Sequence, residues 1–119
     1  MNASIPLAES IGALCDAKKR GYAKNIGVSN FPTKLLREAV KLTTEPLVTN
    51  QIEYHPHLDQ RVVVDCAREL GMSVTSYCPL GRGTVGGVLG EPAVQAIAKA
   101  KGRTPAQVVL KWHLHQGLI

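Results

Sequence analysis

The sequence predicts an α/β domain of consecutive strand–helix units, arranged as part of a barrel. Short apolar runs at Asn25–Asn30, Leu47–Tyr54 and Met72–Tyr77 alternate with longer segments of helical periodicity. The runs end at Asn30, Tyr54 and Pro79, a repeat of roughly 25 residues that suggests stacked units. Strands and helices alternating in this way make parallel sheets with crossover helices. Three such strands form an open sheet with two unpaired edges, and Leu118-Ile119 starts a further extended segment.

The first helix has Ser4 as its expected cap and Pro6 in its first turn, where proline is tolerated. Leu7, Ile11, Leu14 and Cys15 make its apolar stripe, and Gly21 ends it. In the first strand Gly27 sits between the strand formers Ile26 and Val28, which lets a neighbour pack closely on the backbone. Ser29 and Asn30 stand where that strand gives out, before the Pro32 stop. Thr33 is expected to cap the second helix, with Leu36, Ala39 and Val40 on its buried face. Asp59 is expected to cap the third, with Val62, Val63, Cys66 and Leu70 buried and Gly71 closing it. A glycine-rich loop, Pro79–Gly90, precedes a short helix from Pro92 to Gly102. Thr104-Pro105-Ala106-Gln107 is a capping box with proline at the first helical position, a strong start for the last helix.

Composition narrows the function. The 119 residues suffice for one domain, and no apolar run approaches the ~20 residues of a membrane helix. Cys15, Cys66 and Cys78 are odd in number and scattered, which argues against a disulfide framework and for a reducing compartment. The reading is a cytoplasmic protein with no membrane partner. The net charge of +5 would suit nucleic acid only if cations gathered on one face among aromatics. Instead Lys18, Lys19 and Arg20 close a helix, where cations suit the dipole, so no nucleic-acid partner is expected.

Three patterns invite a specific chemistry. Gly81-Arg82-Gly83-Thr84-Val85-Gly86 matches G-x-G-x-x-G, but the third glycine should open a helix and the helix waits for Pro92. A loop near cofactor phosphates, with Arg82 as a cation, fits better than a Rossmann site. Glu53, His55 and His57 could face one side of an extended chain, yet a histidine pair beside a proline turn is the simpler reading, and no metal is expected. Cys78 at a strand end reads as a structural residue in preference to a reactive thiol. Tyr77 ends a buried strand beside a glycine loop, where core packing and ligand stacking are both open.

Ile26-Gly27-Val28-Ser29-Asn30-Phe31, Asn50-Gln51-Ile52-Glu53-Tyr54-His55-Pro56 and Thr75-Ser76-Tyr77-Cys78-Pro79-Leu80-Gly81 together resemble the aldo-keto reductase family. Within it they look like the bacterial 2,5-diketo-D-gluconate reductase type. The resemblance covers essentially the whole chain as a single partial domain, 1–119, and about the second half of the family's barrel. It implies a partial (β/α)8 barrel whose ligands lie at the C-terminal ends of the strands. It also implies an NADPH or NADP cofactor and a small carbonyl substrate, an aldehyde or ketone reduced to an alcohol. Ser29, Asn30 and Gln51 match the residues that hydrogen-bond the nicotinamide carboxamide, and Tyr77 matches the aromatic stacked on its ring. Cys78, Leu80 and Arg82 fall in the segment along the pyrophosphate, Cys78 standing where many relatives carry serine.

The family's catalytic Tyr, Lys, Asp and His belong to its first half, so no catalytic residue is expected in this chain. Tyr22, Tyr54 and Tyr77 occupy other positions. The sequence therefore reads as the nicotinamide-binding part of a reductase, inactive by itself and prone to self-association through open sheet edges. The rival reading is a non-catalytic half-barrel that binds a nucleotide or a partner chain, or a redox-sensing subunit.

Overall fold

Every expected strand and helix forms. The computed structural model describes residues 5–82 and 86–119. In chain order the elements are α1 (Leu7–Lys19), β1 (Ile26–Ser29), α2 (Thr33–Leu42), β2 (Leu47–Glu53), α3 (Arg61–Glu69), β3 (Ser73–Tyr77), a 3₁₀ turn (Val88–Gly90), α4 (Pro92–Lys101) and α5 (Pro105–His115). The strands bond in the order β1-β2-β3, and β1 runs parallel to β2. Two compact units divide the chain: Met1–Gln51 with Arg61–Val74, and Ile52–Gln60 with Thr75–Ile119.

In the first unit, α1 and α3 both end in hydrogen-bonded glycine turns. Gly21 (φ 77°) donates to the Lys18 carbonyl and Tyr22 to that of Ala17; Gly71 (φ 77°) donates to Arg68 and Met72 to Ala67. This double closure satisfies carbonyls that a helix end leaves open. The N-termini differ from expectation. Pro6 precedes α1 as its cap residue instead of lying in its first turn, and its carbonyl accepts from Ser10. Pro32 does the same for α2, so Thr33 is the first helical residue and not the cap. Ser4 and the loop centre Gly83–Val85 lie outside the described residues.

The buried face of α3 is also displaced. Val64, Cys66 and Ala67 are buried, while Val62 is 75% exposed. Three consecutive valines leave the helix phase open, and the small Ala67, fully buried, sets it. On the neighbouring helix α2, Leu36 and Ala39 are fully buried. Arg37 and Glu69 close the rim between α2 and α3 at 2.8 Å.

Gly27 carries the closest approach in this unit. A β-carbon there would stand 2.7 Å from both the Thr49 methyl and the Thr49 carbonyl oxygen. The register explains the crowding: Ile26 pairs with Leu47 but Val28 with Asn50, so β2 carries one extra residue opposite Gly27.

The second unit is centred on the Tyr54 carbonyl, which accepts from the Ser76 hydroxyl at 2.7 Å and faces His113 Nε2 at 3.0 Å. His113, buried on α5, has its Nδ1 2.9 Å from the Val109 carbonyl. The Tyr54 ring stacks on Trp112 (5.6 Å between centroids, 13° between planes). The Thr104–Gln107 capping box is present in both directions, and Pro92 opens α4 as expected. Leu118 is buried and the Ile119 carbonyl accepts the Ser76 N–H at 2.7 Å, so the chain end lies along β3.

Gly27→Ala is expected to destabilise the protein by about 1–3 kcal/mol, because the added β-carbon would overlap both the methyl and the backbone carbonyl of Thr49. Urea unfolding checks it; an unchanged midpoint means that β2 shifts freely.

Candidate functional site

In the first unit the exits of β1 and β2 assemble a small polar cluster. The Gln51 carbonyl accepts the Asn30 N–H at 2.8 Å and the Ser29 hydroxyl at 3.0 Å. Asn30 takes a left-handed backbone conformation, φ 56°, uncommon outside glycine but tolerated by asparagine. The residue after it is clamped. Asn50, fully buried, donates from Nδ2 to the Phe31 carbonyl at 3.0 Å and accepts the Phe31 N–H on Oδ1 at 3.4 Å. Phe31 buries its ring, so the turn is held by apolar packing and by a two-point hydrogen bond. Ser29, Asn30 and Gln51, all expected site residues, are thereby brought together with exposed side chains.

Asn50 is the positioning residue that sequence reasoning missed. Its signal was available: with one bulge residue admitted, Leu47, Asn50 and Ile52 share the buried side of β2. An amide there must find internal partners.

In the second unit the exit of β3 carries Tyr77, Cys78 and Leu80, each half-buried. Cys78 is also left-handed, φ 49°, and its carbonyl accepts the Gly81 N–H at 2.9 Å in a tight turn. Gly81 (φ 73°) lies against Val88, 3.2 Å from where its β-carbon would be. Among the described residues, Asn30 and Cys78 are the only non-glycines with positive φ, and both were expected site positions. Backbone strain of this kind concentrates where a site demands a fixed geometry.

Arg82 does not point into open solvent alone. Its Nη2 and Nε lie 3.1 and 3.4 Å from the two Glu53 oxygens, and His55 Nε2 is 3.5 Å from the same carboxylate. Hydrogen bonding to Arg82 holds the Glu53 carboxyl below its usual range and raises the Arg82 guanidinium. His57 pairs separately with Glu91 at 2.7 Å. The His55 and His57 rings lie edge to face at 6.4 Å, while Glu53 pairs with Arg82 and His57 with Glu91. No group of three metal-binding side chains occurs among the described residues. The three cysteines are free, and the Thr43 hydroxyl holds the buried Cys15 thiol below its usual range.

The sequence and the fold can also be set beside known proteins. The profile of the aldo/keto reductase family matches residues 1–119. The chain belongs to the aldo/keto reductase family. The chain resembles methylglyoxal reductase DkgB of Yersinia pestis, at 41% identity over 98% of this chain and 43% of that protein. A crystal structure assigned as a 2,5-diketo-D-gluconic acid reductase B superposes with a TM-score of 0.92 at 43% identity, covering 98% of this chain and 41% of the other. An aldo-keto reductase of Bombyx mori, solved in complex with NADP, gives 0.87 at 30% identity over 97% and 40%. The chain therefore spans less than half the length of these relatives. Its fold is a partial (β/α)8 barrel with an open sheet.

Two outcomes follow from this geometry. Asn50→Leu keeps the branched shape but strands the Phe31 N–H and carbonyl, and should cost about 1–3 kcal/mol in urea unfolding; no loss would mean that Phe31 packing alone holds the turn. The second concerns acid. A carboxyl whose folded pKa is depressed stabilises the protein above its unfolded value, about 4.3, and that contribution is lost as pH falls through the lower folded value. The thermal midpoint of the parent should therefore exceed that of Glu53→Gln by a small margin at neutral pH, with the gap closing in acid. A gap that persists at pH 2 refutes the ion-pair account.

Proposed function

We propose that this chain supplies the nicotinamide-holding part of an NADPH-dependent reductase that converts aldehydes or ketones to alcohols. The observation that carries the reading is the first unit's strand exit, where the Asn50 clamp and the Gln51 carbonyl fix Asn30 and Ser29. Exposed hydroxyl and carboxamide groups there offer donors and acceptors without charge. That suits a neutral carboxamide, which a cation or carboxylate would serve less well.

When bound, NADPH supplies hydride to the carbonyl carbon. In this reading Asn30, Ser29 and Gln51 hold the carboxamide, and Tyr77 offers a ring face on which nicotinamide can lie, so that one side of the ring is turned to the substrate. The backbone turn at Cys78 and Leu80 lines the path of the pyrophosphate, and Arg82 is its cation. Because Arg82 already pairs with Glu53, phosphate contact requires it to share or leave that carboxylate. The proton that completes the alcohol comes from a donor outside this chain. Tyr54 cannot serve, being buried against Trp112 and His113.

Saturation-transfer NMR with NADPH and the 119-residue protein tests the reading. Nicotinamide protons should receive magnetisation, and Gln51→Ala or Asn30→Gly should reduce that signal severalfold while circular dichroism stays the same. The same protein should consume NADPH with aldehydes no faster than background. Signals confined to the adenine ring, or unchanged by both substitutions, would overturn the assignment of these residues. Steady turnover by the chain alone would overturn the missing donor.

A further inference from the structure

Within the second unit, a groove of about 620 Å³ runs between α4 and α5, remote in sequence from the strand exits. Its floor is Ile97, Val108 and Trp112; its rim is Lys101, Arg103, Lys111 and His115. Val108, Lys111, Trp112 and His115 are spaced i, i+3, i+4, i+7, one face of α5 over two turns. Ile97, 48% exposed, continues the apolar strip onto α4. The Trp112 ring stacks on Tyr54.

The charge around this strip has one sign. No acidic residue lines the groove, and Lys101, Arg103 and Lys111 enter no ion pair among the described residues. The N-terminus of α5 opens beside them at Thr104 and adds its own partial positive charge. An apolar strip walled by unneutralised cations calls for an occupant that is apolar along one line and acidic on both sides.

We propose that this groove docks an acidic amphipathic helix of a partner polypeptide, its aliphatic stripe on Ile97, Val108 and Trp112 and its carboxylates facing Lys101, Arg103 and Lys111. A helix laid in a groove meets its host through anchors at such spacings. A second copy of this chain is the wrong partner on charge. Each copy carries +5, and among its acidic residues Glu45, Glu53, Asp65 and Glu69 already pair with lysine or arginine and Glu91 with His57. A polynucleotide fits less well: its phosphates would meet the rim and one base could stack on Trp112, but Ile97 and Val108 would stay uncovered.

Trp112 is the chain's only tryptophan and therefore reports on the groove directly. The probe is a synthetic helix of about 15 residues, long enough to be helical in part, with leucine at i, i+3, i+4 and i+7 and glutamate flanking them. Its twin carries lysine for glutamate. The acidic helix should shift Trp112 emission saturably, with affinity falling at higher salt. Lys111→Glu combined with Lys101→Glu should weaken it about tenfold. These exposed positions should leave circular dichroism unchanged, and Lys111→Gln is the milder check should the double variant not fold. Equal binding by the lysine helix overturns the proposal. So does tighter binding of heparin that displaces the peptide, or a mass that doubles with concentration and blocks the peptide. An emission that no probe moves overturns it as well.

Discussion

The two-point hydrogen bond between the Asn50 side chain and the Phe31 backbone is the constraint on which the strand exits of the first unit depend. A buried amide left unsatisfied costs about as much as a large fraction of a small protein's stability. Asn50 therefore fixes not only its own position but the path of the chain leaving β1. Without that path Asn30 has no reason to stay left-handed, and Ser29 would not meet the Gln51 carbonyl. The bulge in β2 belongs to the same arrangement: it turns Asn50 to the buried side and brings Thr49 against Gly27. One inserted residue and one missing side chain are complementary halves of a single packing solution.

The second unit reaches order by a different route. Its centre is a backbone carbonyl, that of Tyr54, contacted by a hydroxyl from β3 and an imidazole from α5. Around it the Tyr54, Trp112 and His113 rings pack face and edge. Polar satisfaction and aromatic burial here share Tyr54 and His113, which is economical in a chain with only five aromatic residues of the Phe, Trp and Tyr type.

Much of this was legible in the sequence for identifiable reasons. Glycine closures at Gly21 and Gly71 and the Thr104 capping box were readable because each is a local rule in which a few neighbouring residues decide the geometry. The close approach at Gly27 was readable because glycine in a strand has few other uses. The motifs around Asn30, Gln51 and Tyr77 marked the family and the strand ends. What escaped depends on partners distant in the chain. The phase of α3 is set where Ala67 buries itself, not by the valine run. The Arg82–Glu53 contact joins residues 29 positions apart, and Asn50 finds Phe31 across 19. A proline can replace a hydroxyl as the residue that starts a helix, as at Pro6 and Pro32, because its carbonyl serves the turn even where no side chain can.

The double acceptance at the Gln51 carbonyl separates two duties within one residue. The main-chain oxygen anchors β1, while the side chain is exposed and carries none of that scaffold. Replacing the side chain therefore leaves the architecture standing. Position 51 is consequently a place where the side chain could drift over evolutionary time, or be searched by saturation libraries, at little structural risk. Position 50, its immediate neighbour, has no such freedom. Adjacent residues on one strand thus differ in evolvability, and a library that randomised both together would carry the cost of a lost Asn50 clamp in nearly every member.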